Sequence, residues 1–349
     1  MVLSCYSRLM KDREAVVSWL MAGALMVAAM VIIGGITRLT HSGLSMSNWN
    51  LIMGAIPPLN EADWNQAFEQ YKQFPEYQKI NSHFELADFK AIFFWEYLHR
   101  LIGRLIGLVF IIPFIIFLFR KSLPRKLLLQ SLVLFGLGAL QGFLGWFMVK
   151  SGLVDRPSVS HYRLAIHLSA AFLTFCYIVW IILSIQFPDR SSQATSRFGI
   201  LVRLLVLVVA LQIVLGAFVA GLKAGLVFPT WPKMGEDWIP PMVLTALRHD
   251  GLSSLFSQIV SVQFTHRSFA YVVVVLVGYI WFVSSKEILN PFQRKTIYFL
   301  LMMVLLQFAL GVFTLLFFVP VWLGVLHQLG ALVLLTGSVF LSYSTPLKQ

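Results

Sequence analysis

Eight apolar runs, each roughly 20 residues or longer, restrict this chain to folds that exist in a lipid bilayer. The predicted spans are residues 15–37, 91–119, 127–149, 163–187, 200–222, 260–283, 296–319 and 321–343. A helix of about 20 residues crosses a hydrocarbon core of about 30 Å with every backbone group satisfied internally. Hydrophobic residues make up 58% of the 349 and charged residues 12%, which excludes an ordinary soluble domain. We therefore predict an all-α polytopic membrane protein with eight transmembrane helices.

The net charge of +12, from 27 Lys and Arg against 15 Asp and Glu, indicates membrane topology. Basic residues concentrate in the tail 1–14, in the linker 188–199 and in the connections after the second and sixth helices. Acidic residues lie mostly in the long loops 38–90 and 223–259. By the positive-inside rule, both termini, including the tail 344–349, are cytoplasmic and the long loops lie outside. No nucleic-acid partner is expected.

The chain contains an internal repeat. Its landmarks are Gly34, Gly43, Leu44 and Trp49, which recur 182 positions later as Gly216, Gly225, Leu226 and Trp231; His99-Arg100, which recurs 167 positions later as His266-Arg267; and His167, which recurs 160 positions later as His327. The order is the same in both halves and only loop lengths differ. We predict two pseudo-symmetric four-helix bundles, 15–187 and 200–343. Four spans per half give both bundles the same orientation, so the repeats are parallel.

Four of the repeated residues are intramembrane histidines, namely His99, His167, His266 and His327. Each lies on an even-numbered span, roughly 10 Å below its outer end. An ionisable residue at such depth is a functional hypothesis by default, and neutral imidazole is a common axial ligand of haem iron. We predict that His99 with His167, and His266 with His327, each hold one haem near the outer face. The alternative is hydrogen bonding between helices, and a direct role for His161, which has no repeat partner, stays open.

Glu96 distinguishes the two halves. It precedes His99 by three residues, so on a helix it shares that face, and its repeat counterpart is the neutral amide Gln263. This asymmetry suggests chemistry in the first half and a passive or electron-carrying site in the second. The alternative is a salt bridge from Glu96 to Arg100 that only offsets burial.

Arginines accompany the histidines. Arg100 and Arg267 follow the first ligand of each half, Arg104 comes one turn deeper, and Arg38 ends the first span. Guanidinium groups suit the two propionates of a haem. The alternative is that these side chains extend to lipid phosphates, which is most reasonable for Arg38.

Two further patterns indicate helix packing or membrane association and no chemistry. The segment 61–77 has Trp64, Phe68 and Tyr71 at helical spacing, which predicts an amphipathic helix on the outer face that either caps the first site or anchors at the interface. A Gln-x-x-Leu-Gly pattern beginning at Gln141, Gln212 and Gln307 indicates close helix packing through small residues. Cys5 and Cys176 predict no disulfide.

Taken together, these residues resemble the haem A synthase family, in particular its mitochondrial and alpha-proteobacterial branch. The matching strings follow one another along nearly the whole chain and are GGITRLTHSGLSMSNW (34–49), IPPLNEADWNQAFEQYKQFPEY (56–77), FWEYLHRLIGRLIGL (94–108), SHYRLAIHL (160–168), FPTWPKM (228–234), QFTHRSFAY (263–271) and LHQLGA (326–331). They include loops that have no general membrane role, which makes the resemblance specific.

The resemblance implies an oxidoreductase that converts a methyl group of haem O to the formyl group of haem A for terminal oxidases. It implies that His99 and His167 hold the substrate haem, that His266 and His327 hold a haem b cofactor, and that Glu96 is the catalytic glutamate. Some members carry a cysteine pair in the outer loops. This chain has none there, so that step is absent or handled differently.

Two other classes of function compete. A dihaem cytochrome b-type electron carrier, such as a quinol oxidoreductase subunit, would use the same four ligands in two permanent and similar sites. A haem transporter or chaperone would bind haem without modifying it.

The resemblance implies a haem O synthase, an electron-transfer partner and terminal oxidase assembly as partners, beside membrane lipid, and the sequence permits a homo-oligomer. The short amino terminus is not rich in Arg and Ser, which favours a bacterial inner membrane.

Overall fold

The computed structural model describes residues 2–46, 56–152, 158–189 and 192–347, with side chains from residue 13 onward. Trp49, one of the repeat landmarks, lies outside the described residues. The helices are α1 (Val2–Leu39), α2 (Glu61–Tyr71), α3 (Pro75–Lys79), α4 (Leu86–Phe119), α5 (Arg125–Lys150), α6 (His161–Gln186), α7 (Ser196–Leu222), α8 (Pro241–Asp250), α9 (Ser254–Ser257), α10 (Ile259–Ser284), α11 (Pro291–Leu316) and α12 (Val321–Ser344).

Eight helices in the described part of the chain are long and apolar enough to cross a membrane, which confirms the predicted multi-pass architecture. They are α4, α5, α6, α7, α10, α11, α12 and residues Arg13–Leu39 of α1. Two of these helices start well before the predicted apolar runs because they begin at polar caps. Glu85 and Asp88 form a capping box before α4, and Asn290 and Gln293 form one before α11, so both helices start five residues before the predicted spans.

Two helices extend beyond the predicted spans into the segments on either side. Helix α1 already runs through the predicted tail 1–14, and α7 begins at Ser196, inside the predicted linker 188–199. Thr195 caps α7, because its hydroxyl accepts a hydrogen bond from the Phe198 N–H at 3.2 Å.

The chain divides into two compact units, residues 1–181 and 182–349, and the division falls within α6. In the first unit α1 packs along α4, and α5 contacts α4. Two hydrogen bonds fix α1 against α4 at separate levels: Trp19 Nε1 donates to the Val109 carbonyl at 3.1 Å, and Thr37 Oγ1 donates to the Trp95 carbonyl at 3.3 Å.

In the second unit, α7, α10, α11 and α12 form a ring in which each helix packs against both neighbours. Its core is aliphatic, with Leu205, Ile280, Leu300 and Leu341 almost fully buried. The turn between α11 and α12 is tight, since the Val319 N–H donates to the Thr314 carbonyl at 2.8 Å and α12 begins directly after Pro320.

The predicted amphipathic helix is present as α2, capped by Asn60, whose side chain accepts from the Asp63 N–H at 2.9 Å. Its apolar face packs on α4. Phe68 and Tyr71 stack on Phe89 at centroid distances of 5.2 Å each, and Trp64 meets Phe93 edge-on at 5.0 Å. The face that the sequence offered for membrane anchoring is therefore largely used within the first unit.

Candidate functional site

A glycine on a neighbouring helix faces each of the four histidines. The pairs are Gly34 of α1 with His99 of α4, Gly145 of α5 with His167 of α6, Gly216 of α7 with His266 of α10, and Gly311 of α11 with His327 of α12. A Cβ added at these glycines would lie 3.2, 3.3, 3.0 and 2.9 Å from the Cε1 atom of the facing imidazole, in that order. Glycine therefore allows each ring to approach the backbone of the adjacent helix more closely than an ordinary Cβ contact permits.

The histidine pair of the second unit has the spacing that a haem iron requires. The ring centroids of His266 and His327 are 6.4 Å apart, and the ring planes are at 88°. An iron bound to two imidazole nitrogens at about 2 Å each separates the ring centroids by roughly 6.3 Å. Among the described residues no group of three or more His, Cys, Asp and Glu exists that could hold a metal ion. Paired imidazoles therefore fit a haem iron better than a bare ion.

The imidazoles also have buried polar atoms that bear on their orientation. Nδ1 of His99, of His167 and of His266 is buried without a hydrogen-bond partner in the described structure. Nδ1 of His327 lies 3.1 Å from Nε2 of Gln307. His161, the remaining intramembrane candidate, is the first residue of α6 and its ring contacts Tyr162 at 3.9 Å.

Glu96 is 3% exposed and accepts three hydrogen bonds. Its Oε2 accepts from the Ser45 hydroxyl at 2.7 Å and from the Met46 N–H at 2.9 Å, and its Oε1 accepts from Arg100 at 2.5 Å. The salt bridge to Arg100 is therefore present, with both side chains less than a tenth exposed. Both carboxylate oxygens of Glu96 are therefore hydrogen-bonded, which offsets the cost of burying the group.

The repeat counterpart has the reverse polarity. Gln263 is 1% exposed, and its Nε2 donates to the Phe228 carbonyl at 3.1 Å. Phe228 follows Met46 by the repeat shift of 182 residues. The same place in the loop thus donates its N–H to a carboxylate in the first half and accepts from an amide in the second. The sequence indicated a difference at this position, but the loop contacts came only from the structure.

The four candidate arginines differ in their surroundings. Besides Glu96, Arg100 binds the Met46 carbonyl at 2.9 Å. Arg267 donates through NH2 to the carbonyls of Pro232 and Lys233 at 3.1 Å each, while its NH1 is buried with no acceptor among the described residues. Arg104 lies one turn beyond Arg100 in α4, and Arg38 is in the last turn of α1. Nε of Arg38 and NH1 of Arg104 are also buried without an acceptor among the described residues, so three of the four arginines have a buried donor suited to an anionic group.

Sequence interpretation missed three glutamines. Nε2 of Gln141, Gln212 and Gln307 donates to the backbone carbonyl of His167, His266 and His327 at 3.1, 3.0 and 2.7 Å, in that order. Each glutamine precedes, by one helical turn, the glycine that faces the same histidine. The recurrent Gln-x-x-Leu-Gly pattern was the available signal, and its interpretation as small-residue packing accounted for the glycine alone.

Comparison with known proteins shows the family to which this chain belongs. The family model described as cytochrome oxidase assembly protein, COX15-CtaA, matches residues 17–339. The chain belongs to this family. It is 47% identical over 333 residues to the heme A synthase of Flavobacterium psychrophilum, covering 95% of this chain and 98% of that protein. It is 45% identical to the heme A synthase of Flavobacterium johnsoniae, covering 95% and 97%, and 42% identical to that of Nitrosospira multiformis, covering 95% and 93%.

Proposed function

We propose that the chain is a haem A synthase, an oxidoreductase that converts a methyl group of haem O to a formyl group. The observation that carries this proposal is the single carboxylate, Glu96, on the face of α4 that bears His99, in a chain whose second half has Gln263 at that place. The similarity to the named relatives over 95% of the chain supports the same reaction.

The two halves take different roles. His99 and His167 bind the substrate haem O in the first half, and His266 and His327 bind a haem b cofactor in the second. The spacing of 6.4 Å between the second pair of rings and the buried N–H of Arg267 support a retained haem there. When bound, haem b supplies a redox-active iron that carries electrons.

Glu96 is the catalytic group. Oxidation of a methyl on the porphyrin edge passes through an alcohol and a hydrated aldehyde, and it releases protons while positive charge develops. An ionised carboxylate accepts a proton and stabilises that charge, whereas an amide does neither. A carboxylate offers about four acceptor positions, and three on Glu96 are occupied by Ser45, Met46 and Arg100. The fourth position is the one that takes the proton.

The membrane setting and the partners follow from the charge pattern and the family. We place the eight spans in a bacterial inner membrane, with both termini cytoplasmic and the haem sites towards the outer face. Basic residues concentrate in the amino-terminal tail and in the connections after the second, fourth and sixth spans, which lie on the same side of the membrane as that tail. Haem O synthase supplies the substrate, an electron-transfer partner takes up electrons, and terminal oxidase assembly consumes the product.

Haem extraction tests the function. The chain is expressed in a bacterial host that makes haem O and lacks its own haem A synthase, and the haems are extracted from the membranes and separated by chromatography. We expect haem A to appear only with the chain present. Haem b bound to the protein with haem O unchanged would support the electron carrier, and haem O bound but never oxidised would support the transporter.

A further inference from the structure

Among the described residues, the backbone carbonyls of three of the four proposed haem ligands accept a hydrogen bond from a glutamine on a neighbouring helix, called a tie below, and that of His99 does not. Gln141, Gln212 and Gln307 donate to the carbonyls of His167, His266 and His327. Each glutamine is four residues before the facing glycine. Four residues before Gly34, which faces His99, the chain has Met30. A thioether has no N–H to donate, so Met30 provides dispersion contacts only.

The residue four positions after the histidine also differs between His99 and the other three histidines. The residue four positions after the histidine is alanine in the three tied sites, at Ala171, Ala270 and Ala331. After His99 it is Gly103, and the Cε atom of Met30 lies 3.8 Å from the position that a Cβ on Gly103 would take. The site of His99 therefore has the pair Met30 and Gly103 where each of the other three sites has a glutamine and an alanine. The paired change shows that Met30 occupies the place of the missing glutamine.

The amide hydrogen bond has a physical consequence for the ligand. It joins the backbone of the histidine to a second helix, so displacing the helix segment that carries the imidazole breaks a buried hydrogen bond. Partners outside the ligand sphere of this kind typically change metal affinity by about 10- to 100-fold. For His99, the described residues show the close approach to Gly34 but no side chain of a second helix that donates to its backbone carbonyl.

We infer that His99 is the axial ligand that detaches when the substrate haem is loaded and the product is released, while His167, His266 and His327 stay attached. The assignment of substrate to the first half rests on the proposed function. The step breaks one iron–nitrogen bond, the electron pair stays on the imidazole, and no oxidant is consumed. Gln141, Gln212 and Gln307 are positioning residues, because they act through the histidines.

The chemistry of the two sites agrees with this distribution. A cofactor haem stays in place, so both of its ligands benefit from a tie. A substrate haem must be exchanged in every turnover, so one ligand must release first. His99 is on the same helix as Glu96, three residues away, and the coordination position it vacates therefore faces the carboxylate side of the site.

Carbon monoxide binding to the reduced, haem-loaded protein tests the inference, because the gas binds only where an axial ligand leaves. The matched variants are Met30→Gln with Gly103→Ala, which installs a tie at His99, and Gln212→Met with Ala270→Gly, which removes the tie at His266. We expect the first pair to slow carbon monoxide binding at least about tenfold. The second pair should make the haem of the second half reactive.

Controls are needed to show that a change in carbon monoxide binding does not come from misfolding, and to distinguish the ligand assignment from the proposed enzymatic function. Helical content and haem stoichiometry are measured for each variant, and Met30→Leu, which adds no donor, should react like the wild type. Unchanged carbon monoxide binding in both double variants, with haem content intact, would overturn the assignment of His99 even if haem A were still produced. If the kinetics follow the two pairs while no haem A forms in the wild type, the ligand assignment stands and the enzymatic proposal fails.

Discussion

At the residue scale, the close fit between glycine and imidazole is the most demanding feature of the site. Gly311→Ala would place a Cβ 2.9 Å from Cε1 of His327, so the ring must move by several tenths of an ångström. Overpacking of this kind costs roughly 1–3 kcal/mol. We expect haem b retention on purification to fall about tenfold or more. Gly278→Ala is the matched control and should retain haem normally, because a Cβ added at Gly278 has no neighbouring atom within 4 Å. Equal retention in both variants would show that the ring can adapt.

Glu96→Gln tests the carboxylate. The variant cannot satisfy its neighbours, because Ser45, Met46 and Arg100 all donate to the side chain and an amide has one oxygen. We expect haem A to disappear from membrane extracts while haem O or its alcohol accumulates, with haem b retained. Ser45→Ala removes one hydrogen bond but keeps the charge, so activity should fall only partly.

Gln263→Glu is the control on the other half. It should disturb the cofactor site without creating a second active site, because the loop there presents the Phe228 carbonyl in place of a donor. Normal haem A yield from Glu96→Gln at matched protein level would reduce Glu96 to a structural partner of Arg100.

Arg267→Leu and Arg38→Leu compare two half-buried cations, one on α10 of the second unit and one in the last turn of α1. Arg267 donates to two loop carbonyls and has a further buried N–H with no acceptor among the described residues, so under the proposed function its loss removes a charged partner from the haem of the second half. Loss of such a partner costs roughly 2–5 kcal/mol. We expect Arg267→Leu to release haem b far more readily than Arg38→Leu, measured as the haem to protein ratio. The same ratio in both would favour lipid contacts for Arg267.

At the element scale, a buried polar cluster joins α2 to α3 and to Asn81 after it, next to the rings that stack on α4. The Tyr71 hydroxyl donates to Glu76 at 3.2 Å and accepts from Asn81 Nδ2 at 2.9 Å. Burial and then the Glu76 carboxylate raise the pKa of Tyr71 above its usual value. A raised pKa stabilises the folded state below the unfolded pKa of about 10, and this contribution is lost as pH rises through the folded pKa.

Limited proteolysis of the loop 56–85 measures this cluster. Tyr71→Phe leaves Glu76 and Asn81 without their shared partner, at a cost of about 1–3 kcal/mol, and should speed cleavage roughly tenfold. In the wild type, cleavage should not accelerate between pH 8 and 10, because the phenol stays protonated. Acceleration in that range, absent in Tyr71→Phe, would show that Tyr71 titrates normally.

Sequence pattern predicted the elements well where periodicity and length decide, and less well where local contacts decide. The eight spans follow from apolar length alone. The starts of α4 and α11 do not, because their capping boxes lie outside the apolar runs. The sequence also could not show that the apolar face of α2 is used by Phe89 and Phe93, since those residues belong to a distant part of the chain.

The same division holds for the site. Repetition and polarity were enough to nominate Glu96 and the histidines as site residues, but they did not show that a glycine faces each imidazole ring. The ties from Gln141, Gln212 and Gln307 required knowledge of which helix lies beside which. Charge alone could not show that Arg100 is engaged by Glu96 while Arg267 keeps a buried donor.

At the scale of the whole molecule, two similar halves are assigned unequal tasks. Each half brings a histidine on its second and fourth long helix against a glycine, and only the first adds a carboxylate. The second unit closes into a ring of four helices, which suits a retained haem. Pseudo-symmetry between the bundles remains a prediction from the repeat.

The haem content of two purified variants tests this unequal division most directly. His266→Ala and His99→Ala are purified from cells that make haem b and haem O, and the haems bound to each protein are extracted, separated and counted against protein. We predict that His266→Ala loses most of the tightly held haem b, while His99→Ala keeps it and carries little haem O or haem A. Loss of haem b from His99→Ala, with retention in His266→Ala, would contradict the assignment of cofactor and substrate to the two halves.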